Sequence, residues 1–184
     1  MIRVIVNDAS CLIDLRKGGL LGVVCDLPYR FVIPLPVRVS EVLGLSEAEW
    51  QALDKAGMIT HDLTAEEVGQ ALEVKERHPG LSANDCFCLV TARVYPGILL
   101  TGDALLRKVA EGRGMRVHGV LWVVDELEAA AVCSRSLLSR ALKIWHSDEA
   151  VFLPPQEISA RLEFLAKSGP KRRRRLKTVR CSGT

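Results

Sequence analysis

Several residue patterns that mark common protein classes are missing from this chain of 184 residues. Its six cysteines form no C-x-x-C pair and its four histidines form no H-x-x-x-H pair, so neither a zinc site nor a histidine-based metal site is predicted. Most of the cysteines lie in apolar runs, where a free thiol acts as a small hydrophobic side chain. No apolar run approaches the roughly 18 residues that a membrane-spanning helix requires.

The amino terminus lacks the order of a secretory signal, in which basic residues precede an apolar stretch and a cleavage site of small residues. Here a short apolar run from Ile2 to Val6, interrupted by Arg3, leads directly into the polar pair Asn7 and Asp8. A cytoplasmic location is therefore expected, and cysteines without a disulfide-like spacing agree with it.

The net charge of +3 hides an uneven distribution along the chain. Residues 171–184 carry seven basic side chains and no acidic one, and removing them leaves the rest of the chain at −4. Such a run is typical of a solvated, disordered end or of vector-derived residues. The alternative is an electrostatic arm that binds a polyanion. No aromatic side chain is interleaved for base stacking, which favours the first interpretation.

Short β-like segments alternate with longer α-like segments. Five segments are predicted as strands: 2–6, 30–34, 57–61, 97–101 and 115–118. Nine segments are predicted as helices: 9–16, 19–26, 36–54, 64–77, 82–95, 103–112, 120–131, 134–147 and 155–167. The alternation predicts an α/β fold, a three-layer α/β/α sandwich with a mostly parallel central sheet of about five strands, followed by C-terminal helices.

Four carboxylates lie in apolar or strand-ending sequence, where a charge is unexpected: Asp8, Glu41, Asp85 and Asp103. Asp8 and Asp103 follow the first and fourth predicted strands, at the edge of a parallel sheet where ligands bind. Glu41 and Asp85 lie on helical rows whose other members are apolar. Four converging carboxylates would repel one another, and an Mg²⁺ or Mn²⁺ ion, which prefers oxygen ligands, would remove that conflict.

Each carboxylate also has a structural explanation. Asp8 and Asp103 each precede a predicted helix, where aspartate is a favoured N-cap, and Ser82 with Asp85 fits a capping box. Glu41 could pair with a nearby arginine or reach solvent. Because all four share the same unusual context, a metal site is the preferred interpretation of the set.

Four short segments resemble the acidic motifs of the PIN domain: Asn7-Asp8-Ala9-Ser10, Ser40-Glu41-Val42, Ser82-Ala83-Asn84-Asp85 and Leu100-Thr101-Gly102-Asp103. Members similar in size and layout include the toxin ribonucleases of VapC-type toxin–antitoxin pairs and related stand-alone prokaryotic proteins. The resemblance covers about residues 2–125. It implies a PIN-like nuclease domain over residues 1–125, a C-terminal helical extension over 126–168 and a basic tail over 169–184.

The resemblance further implies cleavage of RNA by a metal-activated water. The four carboxylates would be both the catalytic residues and the ligands of Mg²⁺ or Mn²⁺, and the hydroxyls of Ser10 and Thr101 would support them as neighbours of the metal shell. Two protein partners are also implied. One is an antitoxin that blocks the site, and the other is a second copy of the chain, with helices 36–54 and 64–77 as the interface.

Two other functions stay open at this stage. A phosphatase of the haloacid-dehalogenase kind also places an aspartate after its first strand and can carry a Thr-Gly-Asp run, but it requires a second aspartate at position 10, which is Ser10. A non-catalytic module with a PIN fold would bind RNA or a protein partner without cleavage. If it bound RNA through the basic tail, deletion of residues 171–184 would abolish its affinity, whereas a nuclease would still cleave short substrates.

Overall fold

A computed structural model describes residues 3–40 and 44–167 of the chain. Five strands alternate with ten helices in this part: β1 Arg3–Asn7, α1 Ala9–Lys17, α2 Leu21–Val24, β2 Tyr29–Pro34, α3 Leu35–Ser40, α4 Glu47–Lys55, β3 Ile59–His61, α5 Ala65–Arg77, α6 Ala83–Val94, β4 Ile98–Leu100, α7 Ala104–Gly112, β5 Arg116–His118, α8 Val120–Ala130, α9 Arg135–Ser147 and α10 Pro155–Lys167. No helix in this part of the chain is long and apolar enough to cross a membrane.

The five strands form one sheet in the order β3-β2-β1-β4-β5, and every neighbouring pair is parallel. The predicted three-layer α/β/α sandwich is confirmed, with a sheet that is entirely parallel. Because β1 lies between β2 and β4, the chain first adds β2 and β3 on one side of β1 and then adds β4 and β5 on the other side. The carboxyl ends of β1 and β4 therefore border a topological switch point, where open parallel sheets form their ligand crevice.

Consecutive residues of the central strands are buried, as expected for a sheet covered on both faces. Ile5 and Val6 of β1 are fully buried, and Ile98, Leu99 and Leu100 of β4 are at most 2% exposed. Helix α6 packs across β1, β2 and β4. Helices run antiparallel to the strands that follow them in such a fold, so the amino terminus of α6 lies at the carboxyl edge of the sheet.

The predicted helix over 36–54 is wrong as a single element. The structure has α3 and α4 instead, and residues 45 and 46 between them are not helical. Ser46 is extended and begins α4 with a capping box, in which its hydroxyl accepts from the Glu49 N–H and the Glu49 carboxylate accepts from the Ser46 N–H. The predicted helix over 19–26 is likewise shorter, since α2 covers only Leu21–Val24.

The last helices pack on the rest of the chain through α1. Trp145 of α9 is buried to 1% exposure, and its Nε1 donates to the Asp14 carbonyl at 2.8 Å. Gly18, which follows α1, leaves the space that the indole occupies, because a Cβ there would lie 2.8 Å from a ring carbon of Trp145. Burial of a large aromatic ring in this way joins α9 firmly to α1.

Candidate active site

Asp8 lies at the carboxyl end of the central strand β1. Its N–H donates to the Leu100 carbonyl of β4 at 3.0 Å, and the Thr101 N–H donates to the His118 carbonyl of β5 at 3.0 Å. These backbone bonds hold the first residues beyond β1 and β4 beside each other. The side chain of Asp8 is only 5% exposed, so its carboxylate depends on protein donors for solvation.

Two hydroxyls donate to the same oxygen of this carboxylate. Ser10 Oγ donates to Asp8 Oδ2 at 2.7 Å, and Thr101 Oγ1 donates to it at 2.8 Å. Each hydroxyl in turn accepts a backbone N–H from the loop after β4, that of Gly102 at 3.1 Å for Ser10 and that of Asp103 at 3.0 Å for Thr101. We call these five residues the Asp8 network. Charge-assisted bonds of this kind fix the position of the carboxylate.

The bonds of the Asp8 network are not the capping bonds that the structural explanation of Asp8 requires. Although Asp8 occupies the position before α1, its side chain makes no capping hydrogen bond to that helix. Its Oδ2 receives two hydroxyls from separate parts of the chain instead. A buried carboxylate that is held in place but does not cap is consistent with a role in binding or chemistry.

Asp103 and Asp85 do cap helices. Asp103 is exposed, and its Oδ1 accepts from the Leu106 N–H at 2.6 Å at the start of α7. Asp85 is half-buried and completes a capping box at the start of α6, where its Oδ2 accepts from the Ser82 N–H at 2.7 Å. The structural explanation therefore holds for both. Each cap uses only one carboxylate oxygen, so capping does not prevent the second oxygen from facing another group.

The amino terminus of α6 is tied to β1 and to α3. Cys88, one turn after Asp85, places its Sγ 3.8 Å from the Asn7 carbonyl at the end of β1. Asn84 Nδ2 donates to Ser40 Oγ at 2.9 Å, at the end of α3. Glu41 follows Ser40 in the sequence but lies outside the described residues. The first and fourth acidic motifs thus meet at one edge of the sheet, and the third lies at the start of α6 on that edge.

A family model described as a PIN domain matches residues 4–165. The chain belongs to the PIN domain family. No protein in the search of curated proteins matches it. PIN domains are generally nucleases and typically use divalent metals, and the family assignment sets aside the haloacid-dehalogenase alternative.

The donor atoms of this PIN domain are the right type for a hard cation. Carboxylate and hydroxyl oxygens are the ligands that Mg²⁺ and Mn²⁺ prefer, and Asp8, Asp85 and Asp103 lie at the same edge of the sheet. Within residues 3–40 and 44–167, however, no three His, Cys, Asp or Glu side chains lie close enough together to hold a metal ion. The described carboxylates therefore fit a metal chemically but do not by themselves form a complete shell.

Cys11, which lies three residues after Asp8, is not poised as a nucleophile. Cys11 is fully buried, and burial raises the pKa of its thiol far above the ordinary value, with the charges of Asp8 and Asp14 acting in the same direction. A thiol in this state stays protonated and unreactive.

Sequence reasoning did not single out Asp14 of α1. Burial raises the pKa of the Asp14 carboxyl from 3.8 to about 6, while Lys17 opposes the shift and Asp148 and Asp8 add to it. An acidic residue among Cys11, Leu12, Ile13 and Leu15 was the available signal. That signal is ambiguous, because an amphipathic helix such as α1 also has a solvated side on which an aspartate is ordinary.

Proposed function

We propose that this PIN domain is a Mg²⁺- or Mn²⁺-dependent endoribonuclease that hydrolyses RNA phosphodiester bonds. The observation that carries the proposal is the buried, non-capping carboxylate of Asp8, which is held by Ser10 and Thr101 at the switch point of the sheet. A bound divalent cation supplies a water of lowered pKa and neutralises charge on the phosphate. Asp8, Glu41, Asp85 and Asp103 would hold it.

The chain's own residues have distinct parts in this proposal. Thr101 and Ser10 keep one oxygen of Asp8 occupied, which orients the carboxylate. Asp85 and Asp103 have their side chains fixed by capping bonds, so little rotamer entropy is lost when they bind a ligand. Preorganised ligands of this kind bind more tightly than mobile ones.

The test is cleavage of single-stranded RNA by the purified protein with Mg²⁺ or Mn²⁺ and with EDTA. Asp8→Asn and Asp85→Asn are each expected to lower kcat/KM by about 100-fold or more, since each removes a ligand charge. Asp62→Asn is the matched control, because Asp62 is exposed and lies outside the acidic motifs. Activity that survives EDTA, or that survives both site substitutions, contradicts the proposal.

The same assay separates cleavage from mere binding. A non-catalytic module would bind RNA without producing fragments, and its affinity would be indifferent to Asp8→Asn. Deletion of residues 171–184 removes seven basic side chains and should weaken binding of long RNA with a reduced salt dependence. A nuclease keeps its cleavage of short oligonucleotides after this deletion.

The toxin role and the homodimer extend this proposal to protein partners. An antitoxin would inhibit cleavage at a one-to-one ratio by covering the acidic edge. A homodimer through α3 and α5 is supported by Val39 and Leu72, which are 59% and 60% exposed. Light scattering at several protein concentrations measures the oligomeric state, and Leu72→Glu should yield a monomer if α5 lies in the interface.

A further inference from the structure

A cavity of about 750 Å³ opens beside the Asp8 network. Residues of α1, α8 and α10 line it, together with Ala150 and Phe152–Pro154 between α9 and α10. Three residues of the Asp8 network, Ser10, Thr101 and Gly102, also belong to its wall. Since Ser10 and Thr101 both bind Asp8, the cavity begins one side chain away from the carboxylate. Its volume lies in the range of pockets that bind small molecules.

The basic side chains in the cavity wall already have acidic partners. Each of the three is paired with a carboxylate: Lys17 with Asp148 at 2.8 Å, Arg107 with Glu111 at 3.6 Å, and Arg161 with Asp125 at 2.7 Å. Arg107 also donates to two backbone carbonyls. A phosphate that entered would have to compete with these partners, so the wall favours an uncharged group.

Aromatic rings in the wall suit a flat ligand. The rings of His118 and Trp122 stack with their centroids 4.5 Å apart and their planes 12° from parallel. Burial, followed by the charges of Arg107 and Arg116, lowers the pKa of His118, which favours the neutral form of the stacked imidazole. Phe152 is 92% exposed and offers an open ring face at the same cavity. Unpaired bases commonly stack on side chains of this kind.

One carboxylate in the wall forms no ion pair with another described residue. Of the three carboxylates that line the cavity, Asp125 and Glu157 both pair with Arg161, whereas Asp14 has no ion pair among the described residues. An ionised carboxylate has only acceptor sites, so its complement is a group with N–H donors. The Watson–Crick edge of guanine offers two adjacent N–H groups, and uracil offers one.

We propose that this cavity binds a nucleobase of the RNA strand next to the cleaved phosphodiester, with guanine preferred over uracil. The inference rests on the proposed function, because it takes the strand to cross Asp8. Phe152 supplies a stacking surface, and Asp14 accepts from the base edge. Because Lys17, Arg107 and Arg161 are paired with carboxylates, the phosphates lie outside the cavity, at the acidic edge of the sheet, where a bound cation would contact them.

Binding of short RNA in EDTA tests the cavity without any need for cleavage. Two oligonucleotides that differ by a single G or U in a run of A are titrated by fluorescence anisotropy. The parent protein is expected to bind the G-containing strand about 10-fold more tightly, the size expected for one base contact. Phe152→Ala should weaken both strands by about 10-fold, and Asp14→Asn should remove the preference for G.

Two control variants test whether losing any exposed aromatic ring, or any exposed carboxylate charge, changes RNA affinity. Phe164→Ala removes an exposed aromatic ring from α10 that does not line this cavity, and Asp62→Asn repeats the amide substitution at an exposed site. Both should leave the two affinities within twofold of the parent. Phe152 is almost fully exposed and Asn has the shape of Asp, so both test variants should fold, which circular dichroism verifies.

The outcomes separate the two proposals. Unchanged RNA affinities in Phe152→Ala and Asp14→Asn overturn the cavity proposal, even if Asp8-dependent cleavage is observed. If the parent cleaves no RNA but Phe152→Ala loses affinity and Asp14→Asn loses the preference for G, the cavity binds a base, and what fails is the nuclease proposal together with the placement of that base beside a cleaved phosphodiester. GMP serves as the free-nucleotide probe. If GMP binds the cavity but does not compete with the G-containing RNA, the occupant is a free nucleotide and the proposal is wrong.

Discussion

The contribution of the Asp8 network to stability can be measured by comparing two buried threonines, one inside the network and one outside it. Thr101 and Thr91 are both fully buried, and Thr→Val keeps their shape while removing the hydroxyl. Thr101 Oγ1 donates to Asp8 Oδ2 at 2.8 Å and accepts the Asp103 N–H at 3.0 Å. Thr91 Oγ1 has no hydrogen-bond partner within residues 3–40 and 44–167. The same chemical change should therefore have opposite effects at the two positions.

The expected magnitudes follow from these bonds. A hydrogen bond to a charged group contributes about 1.5–3 kcal/mol, and a neutral one contributes about 1 kcal/mol. Thr101→Val should thus lower the free energy of unfolding by about 2–4 kcal/mol. At Thr91 a buried hydroxyl without a partner is replaced by a methyl group, which should leave stability unchanged or raise it by about 1 kcal/mol.

Urea denaturation measures both variants. The midpoint should fall for Thr101→Val and stay level or rise for Thr91→Val, with unchanged m-values if the denatured states are alike. A double-mutant cycle with Asp8→Asn should give a coupling of about 1.5–3 kcal/mol for Thr101 and none for Thr91. Equal midpoint shifts in the two variants, or no coupling between Thr101 and Asp8, would refute the account of the Asp8 network.

Three further predictions concern α1, the residues around it and α4. The carboxyl of Asp14 has a pKa of about 6 in the folded protein and 3.8 in the unfolded chain, so its contribution to stability is lost as the pH rises from about 4 to 6. In thermal melts, Asp14→Asn should therefore stabilise the protein by about 1 kcal/mol near pH 8, after allowance for solvent screening, and should have no effect near pH 4. Gly18→Ala, whose Cβ would lie 2.8 Å from Trp145, should cost about 1–3 kcal/mol in urea denaturation, whereas Gly22→Ala, with open space around its Cβ, should cost nothing. Ser46→Ala removes half of a capping box and should cost about 1 kcal/mol, and the absence of any shift in its urea midpoint would contradict the assigned start of α4.

The fold was largely predictable because its strands are short, continuous apolar runs. β1, β2 and β4 are buried on both faces, so no period-2 pattern was needed to recognise them. The helix over 36–54 was predicted as one element, in which Val37, Glu41 and Leu45 follow one another at i+4 spacing. The break depends on the capping box of Ser46 and Glu49, a local signal that the apolar periodicity concealed.

The four acidic motifs were visible in the sequence, but their environments were not. Asp103 and Asp85 lie in apolar or strand-ending sequence, yet Asp103 is exposed and Asp85 is half-buried. Each lies at the start of a helix, where the first N–H groups need an acceptor. Asp8 was equally suited to capping by position. Its carboxylate is instead bonded to Thr101, which follows β4 and lies 93 residues away along the chain, and only the tertiary structure shows this contact.

The sequence by itself determined the strand–helix alternation, and with it a parallel sheet that brings Asp8 and Asp103 to one edge. Hydrophobic periodicity carries that information because burial on one or two faces dictates the spacing of apolar residues. The tertiary structure alone decided which polar groups meet: the hydroxyls that hold Asp8, the cavity beside them, and Asp14 in its wall. Hydrogen bonds and pockets depend on ångström distances between remote segments, which periodicity does not encode.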